Sequence, residues 1–295
     1  MGTRELDANL QAPVVGIRTS PRPAAAVAEF FDSCAESYED WAAGLRPRVA
    51  TRLLELVKPE PGAICLDVGC GTGLVAKPLG KLVAPEGHVI GIDISAGMLE
   101  LARAGAPGNL NYQRLSAEPD LCFRDASFDL VTFGDSLAYL RDPYRSLSEA
   151  RRVLRPIGRI GISVHRRSLD TLAQQVFFGV LDEFAGEQPI ALRQPRNQRS
   201  LLGEVGVLKG MLEDVGFTDM TETTFVTGGR VRSAAEWLHM MAGAGPRPYA
   251  LLHSLGLNFR RRILNAVESE MRRLGEDAFH YHLAYTVVAA TGARR

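Results

Sequence analysis

The chain has 295 residues, of which 46% are hydrophobic and 23% are charged, values typical of a globular protein with a sizeable core. Its 34 basic and 34 acidic side chains cancel, which argues against the broad positive surface that nucleic-acid binding needs. No stretch of about 18 uncharged apolar residues occurs, so no membrane-spanning helix is expected, and the first residues lack the apolar core of a secretion signal. The cysteines Cys34, Cys65, Cys70 and Cys122 have neither metal-site nor disulfide-framework spacing, which favours a reducing cytoplasm and predicts no bound metal.

The first part of the chain is predicted to be a flexible arm followed by two helices. Residues 1–22 are polar, irregular and interrupted by prolines, which indicates the arm. Between residues 24 and 41 the apolar side chains recur at i, i+3, i+4 and i+7, the spacing of a helix. A second helix is predicted from about 46 to 57, where Pro59 and Pro61 end it.

The most informative segment is an apolar run at 63–66 that leads into Asp67 and a glycine-rich turn. The alternating glycines are Gly69, Gly71 and Gly73. A helix-compatible stretch from 74 to 83 comes next, so the order is strand, tight turn, helix. Glycines suit such a turn because its backbone takes positive φ values and a ligand approaches bare backbone. An adenine-bearing cofactor is the natural inference.

Two interpretations of the cofactor compete. The dinucleotide fingerprint G-x-G-x-x-G/A fits when counted from Gly71, with Gly73 and Ala76, so spacing alone leaves a nicotinamide cofactor open. Counted from Gly69, directly after the strand, the pattern fails at Leu74. The acid inside the strand, Asp67, and the alternating rhythm of the glycines favour a different adenosyl cofactor.

Further strand signals follow in an order that carries a resemblance. The apolar stretches and the residues after them are 88–92 with Asp93, 111–115 with Ser116-Ala117-Glu118, and 128–133 with Gly134. The series Phe128-Asp129-Leu130-Val131 is followed by Arg152-Val153-Leu154-Arg155-Pro156 and by a fifth strand at 160–164. With these motifs, residues 60–165 resemble the class I S-adenosylmethionine-dependent methyltransferases, in their ubiquinone/menaquinone-type small-molecule branch.

The resemblance implies S-adenosyl-L-methionine as cofactor and S-adenosyl-L-homocysteine as product. In that family the acid that ends the second strand holds both ribose hydroxyls, which matches Asp93, since one carboxylate offers acceptors to two adjacent donors. Tyr38 matches a tyrosine that lines the sulfonium end, and Ser116 stands where many relatives have an aspartate near the adenine. The implied cofactor-binding residues are Tyr38, Asp67, Gly69, Gly71, Gly73, Asp93, Ile94, Met98, Ser116, Ala117, Glu118 and Gly134.

Strands alternate with helices between residues 63 and 164, which predicts a parallel doubly wound sheet. The fold that the resemblance implies is an α/β, Rossmann-like doubly wound, mostly parallel seven-stranded sheet. Later helices are expected at 169–184, 201–215 and 260–274, an irregular stretch at 186–200, and strands at 220–226 and 281–290. Residues 23–60 and 228–278, the latter inserted before the last strand, are predicted to form a helical cap in one methyltransferase domain spanning 23–295.

Methyl transfer from a sulfonium needs alignment and exclusion of water, and it needs a general base only when the acceptor must lose a proton. His165 is the candidate base, because it follows the fifth strand at the carboxyl edge where such sheets bind ligands. A hydrogen-bonded structural histidine is the alternative. Tyr139, Trp237 and His239 are candidate substrate-binding residues, and core packing is the first interpretation of Trp237.

The sequence predicts transfer of a methyl group to a small, largely apolar metabolite, at oxygen or carbon before nitrogen, as in specialised-metabolite biosynthesis. After the fourth strand the chain reads Gly134-Asp135-Ser136-Leu137 where amino-directed enzymes carry an Asn/Asp-Pro-Pro-aromatic run, which disfavours nucleic-acid and protein amide substrates. One alternative is a methyltransferase-like protein that keeps the cofactor and catalyses a cyclisation or rearrangement. A nicotinamide oxidoreductase and a non-catalytic binding protein are others. The sequence leaves the oligomeric state open, a homodimer included.

Overall fold

A computed structural model describes residues 24–166, 171–185, 202–204, 206–246, 248–249, 252 and 256–293. The strands are β1 (Ile64–Val68), β2 (His88–Asp93), β3 (Leu110–Arg114), β4 (Phe128–Gly134), β5 (Leu154–His165), β6 (Phe217–Arg230) and β7 (His280–Gly292). The helices are α1 (Ala24–Cys34), α2 (Trp41–Val57), α3 (Ala76–Val83), α4 (Ala96–Arg103), α5 (Pro143–Val153), α6 (Leu172–Ala185), α7 (Val207–Asp214), α8 (Ala234–Ala242) and α9 (Leu257–Leu274). The predicted arm at 1–22 and the irregular stretch at 186–200 lie outside the described residues.

The described strands form one seven-stranded sheet in the order β3-β2-β1-β4-β5-β7-β6. The neighbouring strands β3, β2, β1, β4 and β5 pair in parallel, and β7 runs antiparallel to both β5 and β6. The strand order reverses between β1 and β4, and α/β sheets bind ligands in the crevice at such a switch point, outside the carboxyl ends of the strands. The predicted Rossmann-like, mostly parallel sheet is confirmed.

Helices cover both faces of the sheet, and β1 shows how its side chains are divided between them. Cys65 packs on the face covered by α2 and α3, whereas Leu66 and Val68 belong to the apolar cluster that α5 and α7 cover. Successive strand residues point to opposite faces. Asp67 therefore lies on the same face as Cys65, an acid within an apolar layer.

A separate apolar cluster joins α6 to the segment between β6 and β7. Its fully buried members include Phe177, Trp237, Ile263 and Met271. The N-terminal helices contact this segment: the Trp41 indole N–H donates to the Met240 carbonyl oxygen at 2.8 Å, and the Phe30 and Tyr249 rings pack edge to face at 5.3 Å. The two segments predicted to form a cap thus pack against each other.

The helix predicted over 24–41 is interrupted. Helix α1 ends at Cys34, a 3-10 turn covers 35–37, and α2 begins at Trp41. The backbone at Ala42, Ala43 and Gly44 is left-handed, which puts a kink in the first turn of α2. The apolar spacing continues through this region, so it gave no warning of the bend.

Strands β5 and β6 are longer than the apolar stretches at 160–164 and 220–226 that predicted them. Strand β6 pairs with β7 from Phe217 to Arg230, so backbone hydrogen bonding extends it beyond its apolar residues. Among the described helices, none has the length and apolar composition needed to cross a bilayer.

Candidate active site

The glycine turn between β1 and α3 lies at the switch point, and two of its glycines are required for space. Gly69 and Gly73 have φ values of 68° and 90°. A Cβ on Gly69 would collide with the Ser136 side chain, and one on Gly73 would collide with the Tyr112 hydroxyl. These two glycines therefore let the turn pack against neighbouring loops and strands.

Gly71 has a different role. Its φ is 54°, and a Cβ placed there would meet only the Tyr38 ring at 3.9 Å and the Met98 sulfur at 4.0 Å. Both side chains line the larger cavity described below. A glycine at this position keeps open a space that a ligand can occupy against bare backbone.

Asp93, the last residue of β2, orients its carboxylate with two backbone N–H groups. Gly71 N–H donates to Oδ2 at 2.8 Å, and Ser95 N–H donates to Oδ1 at 2.9 Å. Burial raises the pKa of Asp93, and these hydrogen bonds oppose that rise. Each carboxylate oxygen can accept more than one hydrogen bond. The Asp93 carboxylate can therefore still accept hydrogen bonds from two hydroxyl groups of a ligand in the cavity that it lines.

Asp67 is the second carboxylate of the site and is 2% exposed. The Thr132 hydroxyl donates to its Oδ1 at 2.7 Å. Burial raises the pKa of Asp67 to about 7; the Asp93 charge raises it too, and hydrogen bonds from Thr132 and the Ala76 backbone lower it. A cationic ligand beside Asp67 would favour its ionised form.

Two adjoining cavities lie over these residues. The larger cavity has about 790 Å³ and runs from Asp93 along Ser116–Glu118 to Tyr139, while the smaller cavity has about 460 Å³ and is lined by Asp67 and Arg46. The residues that line both are Tyr38, Gly69, Gly71, Gly134 and Asp135. A ligand that fills both cavities must pass this shared wall.

At one end of the larger cavity, Ser116 and Glu118 are held by local hydrogen bonds. The Ser116 hydroxyl accepts from Glu118 N–H at 3.0 Å and donates to the Glu118 carbonyl oxygen at 2.9 Å. The Glu118 carboxylate accepts from the backbone N–H groups of Arg141 and Asp142. Any ligand contact with the Ser116 hydroxyl competes with these bonds.

Arg46 of α2 was not predicted as a site residue. It is 8% exposed, and its guanidinium lies 4.0 Å from the Tyr38 ring centre and 4.4 Å from that of Trp41. It donates to the carbonyl oxygens of Tyr38 at 2.8 Å and Gly243 at 3.0 Å. Its buried Nε has no hydrogen-bond partner among the described residues, and the side chain lines the smaller cavity. A carboxylate is the natural ligand for such a cation.

Asp135 and Tyr285 were also not predicted. Asp135 follows β4 directly, and its N–H donates to the Ser163 hydroxyl at 3.0 Å and the Ser163 carbonyl oxygen at 3.1 Å. The Tyr285 hydroxyl donates to Asp135 Oδ2 at 3.4 Å, and both side chains line the smaller cavity. The ends of β4 and β5 and the middle of β7 thus meet at one carboxylate.

Comparison with known proteins identifies the family. A family model described as "Methyltransferase domain" matches residues 66–162. The nocamycin O-methyltransferase of Saccharothrix syringae is 34% identical over 203 residues, which cover 65% of this chain and 72% of that protein. The 2-phytyl-1,4-naphtoquinone methyltransferase of Trichormus variabilis is 30% identical over 214 residues, 67% of this chain and 93% of that protein. The chain belongs to the class I S-adenosylmethionine-dependent methyltransferases, in the ubiquinone/menaquinone branch.

The fold agrees with this membership over nearly the whole chain. The crystal structure of the cyclase SpnF matches with a TM-score of 0.56 at 16% identity, over 95% of this chain and 100% of that one. At this identity the likeness shows the fold alone. The methyltransferase is an enzyme of small-molecule metabolism that uses S-adenosyl-L-methionine and releases S-adenosyl-L-homocysteine.

The chemistry of the two cavities fits this cofactor. Asp93 would hold the ribose hydroxyls, and Gly71 would let the nucleoside approach the backbone. Asp67 would face the cationic part of the methionine end, and Arg46 would hold its carboxylate. The bound cofactor supplies an electrophilic methyl group on a sulfonium sulfur.

The predicted cofactor residues fall largely on one cavity. Tyr38, Gly69, Gly71, Asp93, Ile94, Met98, Ser116, Ala117, Glu118 and Gly134 line the larger cavity. Asp67 lines the smaller one, and Gly73 lines neither. The proposed binding roles of these residues stay predictions; their common location is what the structure adds.

The predicted catalytic and substrate residues are more scattered. Tyr139 lines the larger cavity, whereas His165 at the end of β5 lines neither and packs its ring against Tyr285 at 5.4 Å. Trp237 is fully buried in the cluster of α6, α8 and α9, and His239 is exposed on α8. Neither residue lines either cavity. Helix α8 buries the Trp237 side chain in that apolar cluster instead.

Replacing Gly71 with valine is expected to abolish binding of S-adenosyl-L-homocysteine, since the new side chain projects into the larger cavity. Gly105→Val is the matched control, because Gly105 also has a left-handed φ, of 68°, but lies outside the site, and a Cβ added to it would meet no atom of the described residues within 4 Å. Both variants should lose a similar stability, about 1–2 kcal/mol for left-handed backbone. Calorimetry and thermal unfolding test this; equal binding by both variants would contradict it.

Asp93→Ala is expected to weaken S-adenosyl-L-homocysteine binding by about 1.5–3 kcal/mol, the usual range for hydrogen bonds to a charged group. Isothermal titration calorimetry measures the loss, with Asp120→Ala, a surface carboxylate paired with Arg145, as the control. Wild-type affinity in a folded Asp93→Ala protein would remove Asp93 from the ribose site.

Cofactor binding is expected to depend on pH through Asp67. The free enzyme holds this pKa near 7, and the positive charge of the sulfonium and ammonium groups should lower it in the complex. Below pH 7, binding of S-adenosyl-L-methionine should therefore release a proton, and affinity should rise with pH by at most about tenfold per unit and level off above 7. Calorimetry in buffers of different ionisation enthalpy measures the proton. Asp67→Asn should give a flat profile; an unchanged slope in that variant would refute the assignment.

Proposed function

We propose that this methyltransferase moves the methyl group of S-adenosyl-L-methionine to an oxygen or carbon atom of a small, largely apolar metabolite. The observation that carries the proposal is the wall of the larger cavity beyond Asp93. Its apolar and aromatic members are Ala24, Val27, Phe31, Leu115, Tyr139 and Leu140. A mostly apolar wall with few polar groups suits a ring-bearing or otherwise apolar substrate.

Aromatic contacts connect the cofactor end of the cavity to this wall. The Phe31 ring packs edge to face with Tyr38 at 6.1 Å and with Tyr139 at 5.0 Å. Burial raises the pKa of Tyr38, so its phenol stays neutral at physiological pH. The three rings offer an uncharged surface beside the transferred methyl group, where exclusion of water helps an in-line displacement.

The N-terminal helices and the insertion before β7 are proposed to act as a cap on the substrate, within one domain spanning 23–295. Arg46 supports this role, because its guanidinium joins the Tyr38 and Gly243 carbonyl oxygens from the two segments. The Trp41 hydrogen bond to Met240 adds a second link. A substrate would enter and leave when the two cap segments separate and these hydrogen bonds break.

The relatives support a small acceptor with oxygen or a quinone ring. One is named an O-methyltransferase of nocamycin and the other a methyltransferase of a phytyl naphtoquinone. A role in specialised-metabolite biosynthesis is proposed on the same ground. The cysteines Cys34, Cys65, Cys70 and Cys122 are free thiols, which favours the cytoplasm as location.

The test uses S-adenosyl-L-methionine with a trideuterated methyl group and three acceptors: an alkylated naphthohydroquinone, an enolic 1,3-dicarbonyl compound and a primary amine as control. The expected result is a product carrying the labelled methyl on oxygen or carbon, with one S-adenosyl-L-homocysteine per product and no amine product. Mass spectrometry reads both. Labelled amine would overturn the acceptor class, and an isomerised acceptor without S-adenosyl-L-homocysteine would indicate the cyclisation alternative.

A further inference from the structure

We propose that Asp135 is the general base that takes the proton of a hydroxyl acceptor, and that Tyr285 positions the Asp135 carboxylate. The inference rests on the proposed function and deepens it, because it selects a phenolic or enolic oxygen as the atom that is methylated. It replaces His165 with Asp135 as the residue that contacts substrate.

The position of the methyl group follows from the wall that the two cavities share. The sulfonium joins the adenosyl and methionine parts of the cofactor, so with Asp93 holding the ribose and Arg46 the carboxylate it would lie where the larger and smaller cavities meet. Of the five shared residues, Tyr38 and Asp135 have ionisable side chains. Tyr38 is kept neutral by burial. Asp135 therefore supplies the carboxyl group of the shared wall, where the transferred methyl group would lie.

The charges of the smaller cavity match the methionine end of the cofactor without Asp135. That end carries one ammonium and one carboxylate. Asp67 and Arg46, which line this cavity, match these two groups. Asp135 is an additional carboxylate in the same cavity, so it is not needed as the partner of the ammonium group.

Asp135 is held in an unusual backbone conformation. Its φ is 54°, in the left-handed region that non-glycine residues rarely adopt, and its N–H donates to both oxygens of Ser163. Such positions concentrate at active sites, where the surrounding structure fixes them. With this backbone conformation, Asp135 lines both cavities.

Tyr285 fixes the carboxylate from the other side. Its side chain is 3% exposed on β7, and its hydroxyl donates to Asp135 Oδ2 at 3.4 Å. The His165 ring packs against Tyr285, to which it is directly opposite in the β5–β7 register. His165 therefore packs behind Tyr285 and lies outside the lining of both cavities.

Several titratable and charged groups surround the pair. They are Tyr38, Arg46 and Asp67 in the same cavity, Tyr139 after β4, and His165 behind Tyr285. Because several ionisable groups lie so close together, a simple pH profile does not isolate Asp135. Varying the acidity of the acceptor does isolate Asp135, because a more acidic phenol needs less help from a base while the protein stays the same.

The step balances without another reactant. The acceptor O–H proton passes to the Asp135 carboxylate as the acceptor oxygen forms its bond to the methyl carbon. The S–CH₃ bond breaks, and its electron pair stays on sulfur, which gives neutral S-adenosyl-L-homocysteine. The proton leaves Asp135 for solvent when the products depart.

The kinetic test compares Asp135→Asn and Tyr285→Phe with wild type on a series of substituted phenols of increasing acidity, with Asp120→Asn as control. For the least acidic phenol, Asp135→Asn should lower kcat about hundredfold or more, and the loss should shrink as the phenol becomes more acidic. Tyr285→Phe should show a smaller loss with the same trend, and S-adenosyl-L-homocysteine affinity should be unchanged in both. A loss that is equal for every phenol, or a weakened S-adenosyl-L-homocysteine complex, would overturn the proposal.

A second measurement needs no turnover. In the wild-type complex with S-adenosyl-L-homocysteine, bound 4-nitrophenol should ionise at a higher pH than in the Asp135→Asn complex, because a carboxylate opposes a neighbouring phenolate. The absorbance of the phenolate reports this directly. Ionisation at the same pH in both proteins, or no bound phenol, overturns the role of Asp135.

The labelling experiment distinguishes failure of this inference from failure of the proposed function. Labelled methyl found on carbon alone overturns the role of Asp135 and leaves the proposed function intact. No methyl transfer to any acceptor overturns both the role of Asp135 and the proposed function.

Discussion

The half-buried carboxylate of Asp93 links the loop that follows β1 to the loop that follows β2. Its oxygens accept hydrogen bonds from Gly71 in the turn after β1 and from Ser95, which caps α4 after β2. Two loops from neighbouring strands are thus tied to one charge. The same carboxylate lines the larger cavity, so the group that accepts hydrogen bonds from both loops is also the one that we propose binds the ribose.

The rest of the site is an arrangement of charges in a poorly solvated place. Asp67 lies under the turn with its pKa near 7, and Arg46 lies between two aromatic rings with one donor directed to no described partner. Each is costly to bury alone, and a zwitterionic, sulfonium-bearing ligand compensates both. The larger cavity is lined by apolar and aromatic residues around Phe31 as well as by polar residues. This distribution of charged and apolar residues is the reason that we propose a charged cofactor on one side and an apolar acceptor on the other.

The sequence predicted those parts of the site that are built from residues close together in the chain. The glycine turn and Asp67 belong to one strand–turn–helix unit, and Asp93 ends the next strand, so the resemblance located all of them. Asp135 and Tyr285 are 150 positions apart, and their contact depends on β7 returning beside β5. Arg46 gave one usable signal: it stands in the apolar stripe of α2, where a charged residue is unusual. The bend at 42–44, which brings Arg46 beside Tyr38 and Trp41, has no comparable signal in the pattern.

A crystal structure of the enzyme with S-adenosyl-L-homocysteine tests the central claim most directly. The account predicts both ribose hydroxyls on the Asp93 carboxylate, the adenine beside Ser116–Glu118, the methionine carboxylate on Arg46, and the sulfur between Tyr38 and Asp135. A nucleoside bound elsewhere, or in this cavity with its ribose away from Asp93, would contradict it.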